Sequence, residues 1–127
     1  MTRRIRITVG KVALTAELND SETASAVWEA LPIRGEASRW GEEIYFEIPV
    51  RVKEAADARQ DMEVGELAYW PVGAAFCIFF GRTPASRTEQ PRAYSNVNPL
   101  GKISGDAKRF GSVRDGETVR IEKAGSP

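Results

Sequence analysis

The amino-acid sequence predicts a mainly β fold, a closed barrel with one helix capping an end. Three observations carry this reading. Short runs with a period of two recur along the chain, a single stretch has convincing helical periodicity, and glycines break the runs at regular intervals. With 127 residues the chain falls in the commonest size range for one domain, taken as residues 1–127. Such a domain buries roughly two-thirds of the surface its unfolded chain exposes and needs no covalent staples.

In chain order, "RRIRITVG" sets Arg4, Arg6 and Thr8 against Ile5, Ile7 and Val9, the pattern of a half-buried strand. Gly10-Lys11 breaks it, and "VALTAEL" resumes the alternation, so the fold opens on a hairpin. "NDSETASAVWEALP" predicts the main helix, over about residues 21–31. Ala24, Val27, Trp28 and Leu31 form one apolar stripe, Asn19, Asp20 and Ser21 are N-cap types, and Pro32 ends it. Trp28 is expected to plug the core. "IRGEASRWGEEIYFEIPV" carries one or two strands, with Ile44, Phe46 and Ile48 alternating with Glu43, Tyr45 and Glu47. "RVKEAADARQDM" lacks an apolar stripe and reads as a solvated loop with a helical turn. "EVGELAYWPVG" is a short strand followed by a Pro71-Val72-Gly73 turn, and "AAFCIFFG" is a strand buried on both faces. "RTPASRTEQPRAYSN" has no period and two prolines, and reads as a long loop. "VNPLGKISGD" and "TVRIEK" close the fold, with Asp115-Gly116 as a turn between them.

Composition excludes several kinds of chemistry. Eighteen basic residues balance eighteen acidic ones, against the basic excess a nucleic-acid binder needs. One cysteine rules out an intramolecular disulfide and a cysteine-based zinc cluster. The absence of histidine removes the usual general base, triad partner and transition-metal ligand. Arg6 interrupts the apolar run a signal peptide would need, and no run is long enough to span a membrane. A cytoplasmic protein without cofactor, metal, membrane or nucleic-acid partner is the expectation.

Within this frame the candidate reactive groups weigh little. Cys77, alone in an apolar strand, reads as an inert small hydrophobe. Glu43 and Glu47 stand about 13 Å apart along a strand, too far to share a proton or an ion, and read as a solvated face. Gly101, Gly105 and Gly111 match no phosphate-binding spacing. Arg39 beside Trp40 suits either an anion clamp or an ordinary surface pair. The stretch "GELAYWPVGAAFCIFFGRTP" holds five of the eleven Phe, Trp and Tyr residues. As one strand, "AAFCIFF" sends Phe76, Ile78 and Phe80 one way and Ala75, Cys77 and Phe79 the other. The first set suits a barrel interior. Tyr69 with Cys77 and Phe79 would then share the second face, which is either a binding groove or a surface covered by a loop or the helix.

"EIYFEIPV", "VGELAYWPVGAAFCIFFGRTP" and "VNPLGKISGD" resemble a family of small bacterial and archaeal cyclophilin-like proteins, short relatives of cyclophilin without a firmly assigned activity. The resemblance runs from the first hairpin through "VRIEK" and implies a closed eight-stranded β-barrel with few helices. It implies a groove matching the cyclophilin active site, with Cys77 in place of a phenylalanine and with Tyr69 and Pro71 on the adjacent strand. Where cyclophilins carry their catalytic arginine, this chain has Phe46 or Glu47, and no histidine matches. The expectation points away from an enzyme, towards a module binding a small molecule or peptide segment through Tyr69, Pro71, Cys77, Phe79, Glu47 and Arg82. Arg82 and Arg87 are candidates for an anionic ligand group. The alternatives are a weak peptidyl-prolyl isomerase and a homodimer formed through an exposed aromatic face.

Overall fold

The computed structural model describes residues 3–124. Ten strands and one α-helix alternate in the order β1 (Arg3–Val9), β2 (Val12–Leu18), α1 (Glu22–Ala30), β3 (Ile33–Glu36), β4 (Ser38–Arg39), β5 (Glu43–Glu47), β6 (Arg59–Asp61), β7 (Glu66–Trp70), β8 (Ala75–Phe79), β9 (Arg92–Ser104) and β10 (Thr118–Lys123). A six-residue 3-10 helix, Ala107–Ser112, precedes β10. The opening hairpin forms as expected, with Val9 opposite Val12 across Gly10, which takes a positive φ of 58°. Helix α1 starts where its caps dictate: Ser21 Oγ accepts from Ala24 N (3.1 Å), and Asn19 Oδ1 accepts from Ser21 N (3.1 Å). Its Ala24 and Val27 are buried, whereas Trp28 is only partly so and lies under the Lys123 ammonium.

The strands pair antiparallel along the path β3-β10-β1-β2-β9-β7-β8-β5-β4, with β6 attached to β9. The path is open, which corrects the expectation of a closed eight-stranded barrel. Its two ends, β3 and β4, are consecutive in the chain, separated only by Ala37. Ala37 N donates to Glu117 O (2.8 Å) and Ala37 O accepts from Gly116 N (2.8 Å), so the backbone is held to the turn before β10 while it passes from one end of the sheet to the other. Chain continuity at Ala37, with no hydrogen-bonded ladder, joins the two ends. Gly35 on β3 lies against Phe46 of β5, where a Cβ would come within 3.0 Å of the ring.

Two further segments depart from the sequence reading. Residues 92–96, read as loop, begin the thirteen-residue strand β9. Pro99 is accommodated inside it because the β7–β9 register shifts between Leu67 and Ala68, next to the position where the missing N–H would otherwise break the ladder. The charged segment after β5 is a loop with a turn, Ala58 N donating to Ala55 O (3.1 Å), as read; it departs from that reading in ending in the short strand β6 and in being pinned from beneath. Tyr69 Oη donates to Val50 O (2.7 Å) and accepts from Val52 N (3.3 Å), and the buried Asn98 carboxamide bonds Ala55 N, Lys53 O and Thr23 Oγ1.

Apolar side chains collect on both sides of the β5–β8–β7 layer. The main core takes Phe46, Leu67, Tyr69, Phe76, Ile78 and Phe80 together with residues of β1, β2, α1 and β10. A smaller cluster on the other side contains Met62, Ala68, Cys77, Phe79, Ala93 and Val97, with Tyr45 and Trp70 at its margin. The first half of β9, paired with β6, covers this second face. Among the described residues no helix is long and apolar enough to cross a membrane.

Candidate functional site

The covering strand leaves an opening. Between β5, β7, β8 and the start of β9 lies a pocket of about 240 Å³ lined by Trp40, Glu43, Tyr45, Trp70, Cys77, Ala93, Tyr94 and Val97. The pairing explains its membership. Glu43, Tyr45 and Glu47 stand opposite Phe79, Cys77 and Ala75, and Ala68 and Trp70 stand opposite Cys77 and Ala75, so all share the outer face. From the loop between β4 and β5, Trp40 joins them, held by Trp40 N donating to Glu43 O (3.0 Å). Tyr94 sits between the two indoles, with ring centroids 5.9 Å from Trp40 and 6.0 Å from Trp70 and interplanar angles of 73° and 78°. Trp70 Nε1 donates to Ser95 Oγ (2.7 Å), which sets the plane of that wall.

Glu43 is the polar group of this apolar pocket. It is 5% exposed, and its Oε1 is buried with no hydrogen-bond partner. Burial raises its carboxyl from 4.5 to about 7, and the neighbouring Cys77 thiol only partly offsets this. The Cys77 thiol in turn lies well above its ordinary value, first because it is buried and then because Glu43 is beside it. A thiol held neutral in this way is a poor nucleophile. Glu43 can exist in either protonation state near neutral pH, donating a hydrogen bond in one and countering a cation in the other.

Of the six residues expected in a groove, the structure places only Cys77 in the lining. Tyr69 is on the core face, which corrects the expectation that it shares a face with Cys77. The connection between β7 and β8 has four residues, Pro71 to Ala74, and sets Tyr69 opposite Phe76 and Ala68 opposite Cys77. An odd loop length would have reversed this assignment. Pro71 belongs to that turn, outside the lining. Phe79 points to the outer face but is fully buried under Met62, Ala93 and Val97. Glu47 is exposed at the open end of β5 and pairs loosely with Arg51 (3.8 Å). Arg82 pairs with Glu89 (3.2 Å), and Arg87 borders a shallow depression with Asp61 and Arg92. Arg39 is no anion clamp: its guanidinium lies 5.0 Å from the Phe80 ring centroid and donates to the Gly41, Gly111 and Val113 carbonyls.

Sequence reasoning set Glu43 aside as part of a solvated face, which its burial corrects, considered Trp40 only beside Arg39, and did not place Tyr45, Trp70 or Tyr94 in a site. The signal available for Glu43 was its parity with Tyr45 on the face opposite Ile44. Alternation does not distinguish it from Glu47; its burial comes from Trp40, three residues before it, and from β9, some fifty residues away. Phe46, one of the two positions matched to the cyclophilin arginine, faces the core, and no arginine lines the pocket among the described residues. Nor does any group of three His, Cys, Asp or Glu side chains there suit a metal ion.

An antiparallel sheet whose ends meet at Ala37, with an outer-face pocket beside β8, fits the resemblance seen in the sequence. The family model for cyclophilin-like proteins matches residues 3–122, and the chain belongs to that family. A solved relative is a hypothetical protein of Archaeoglobus fulgidus, determined in solution. It is 38% identical, covers 97% of this chain and 95% of its own, and superposes with a TM-score of 0.82. No curated protein matches the chain.

Proposed function

We propose that this cyclophilin-like protein is a binding module for a small molecule, held in the pocket between Trp40, Glu43, Trp70 and Tyr94. The observation that carries the reading is the buried Glu43 Oε1, which has no hydrogen-bond partner at an otherwise apolar, aromatic site. A buried polar atom without a partner costs roughly 1–3 kcal/mol, and a ligand group that pairs with it recovers that cost on binding. The volume of about 240 Å³ lies just below the range of drug-sized sites, which suits a metabolite better than an extended peptide. Among the described residues no guanidinium lines the pocket, which supports binding without prolyl isomerisation.

Trp40 and Trp70 are two of the three tryptophans, so intrinsic fluorescence reports occupancy directly. A metabolite panel screened by fluorescence and thermal shift should yield compounds that raise the melting temperature by mass action. Those compounds should lose their effect in Trp70→Leu. A panel that moves neither signal overturns the proposal. Acceleration of a proline-peptide isomerisation by the purified protein would replace it with the enzymatic reading, and a sedimenting dimer with the pocket buried would replace it with a self-interface.

A further inference from the structure

The lining chemistry narrows the ligand class, and this step rests on the binding reading above. We infer that the pocket selects a small organic cation, an alkylammonium of metabolite size, with Glu43 as its counter-charge and Trp40, Trp70 and Tyr94 as walls. Three features converge on this. Four aromatic rings, those of Trp40, Tyr45, Trp70 and Tyr94, border one pocket, and ring faces carry the negative potential that attracts ammonium groups. Tyr94 stands nearly perpendicular to both indoles and packs against each of them edge to face, so the three rings fix one another as one aromatic side of the pocket. Among the described residues Glu43 is the only carboxyl in the lining, its Oε1 buried without a hydrogen-bond partner, and no lysine or arginine lines the pocket to compete for it. A carboxylate or phosphate ligand would meet Glu43 with no compensating charge. A neutral ligand would leave the ring potential unused.

Tyr94 is 72% exposed although it belongs to a strand that otherwise covers the second apolar cluster. The other titratable groups facing Glu43 are Tyr45 on its own strand, Cys77 on β8 and Tyr94 on β9. Cation binding favours the ionised Glu43 and releases its proton to solvent. Since burial holds this carboxyl at about 7, affinity should rise with pH through neutrality.

The test uses the full chain, read by tryptophan fluorescence and calorimetry, with choline and its neutral isostere 3,3-dimethylbutan-1-ol. At pH 8.5 choline should bind about tenfold or more tightly than the isostere. Between pH 5.5 and 8.5 choline affinity should rise about thirtyfold, following the ionised fraction of Glu43, while the isostere stays level. Glu43→Gln should abolish the pH dependence and lower the preference to the part that the rings supply. If that variant does not fold, the exposed Tyr94→Leu provides the second arm, weakening choline more than the isostere. Equal or tighter binding of the neutral compound would overturn the cation inference and leave the pocket reading standing. Binding of neither compound at millimolar concentration overturns the inference; the pocket reading then stands or falls with the metabolite panel.

Discussion

Replacing Glu43 with glutamine tests the physical core of the site without any ligand. The folded protein binds the Glu43 proton more tightly than the unfolded chain does, because burial raises the carboxyl from 4.5 to about 7. Between those values the native state holds more protons than the unfolded state, so stability falls as pH rises. Below pH 4.5 both states are protonated and the penalty is absent. Above pH 7 it is complete, and at 1.36 kcal/mol per unit the shift corresponds to about 3 kcal/mol. Glutamine keeps the shape of the side chain and cannot ionise, so the variant should lack this loss. Its amide still has to be buried, which costs roughly 1–3 kcal/mol at every pH. The expected result is therefore a crossing. Glu43→Gln is equal to or less stable than the parent near pH 5 and gains on it steadily up to pH 8. Urea denaturation at pH 5, 6, 7 and 8, followed by tryptophan fluorescence, measures the difference directly. Other carboxylates cancel in that difference. Stability curves that run parallel across this range would refute the argument, since they would mean that Glu43 titrates alike in both states.

Three further outcomes check the assignment of faces. Tyr69→Phe should cost about 1–2 kcal/mol of stability, because Val50 O and Val52 N lose their partner, and should leave ligand affinity unchanged; a ligand effect would return Tyr69 to the site. Phe79→Ala should lower stability by about 3–5 kcal/mol in urea melts, as a fully buried side chain beneath the covering strand, and a loss below 1 kcal/mol would contradict its packing. Gly101→Ala should disrupt the β2–β9 ladder, since the added Cβ would overlap Glu17 O and the Leu18 backbone; hydrogen exchange at Asn19, whose amide donates to Leu100 O, should speed up, and unchanged protection would refute it.

Much of the fold was legible locally. Period-two alternation in β1, β2, β5 and β10, the capped stripe of α1 and the turn at Gly10 depend only on neighbours in sequence, and they formed where expected. The same is true of β8, whose continuous apolar run does separate into Phe76, Ile78 and Phe80 on one side and Cys77 and Phe79 on the other. The family could be read from the same segments, because its aromatic block is a nearly unbroken string.

What the tertiary structure decided was how those strands are set against one another. Tyr69 and Trp70 exchange roles according to whether the β7–β8 connection has an odd or an even number of residues, which alternation within β7 alone does not reveal. Closure was expected from the number of strands and from the resemblance, and neither shows which strands pair at the two ends of the path. In the folded chain Ala37 sends the two halves of "IRGEASRW" to opposite ends of the sheet. Glu43 and Glu47 have the same local pattern, and only the distant β9 and Trp40 cover one and leave the other in water. The sequence by itself thus determined which residues alternate and which family they belong to. Burial of a charge is set by the elements that pack over it, and so the pocket and its unpartnered carboxyl oxygen exist only in the assembled fold.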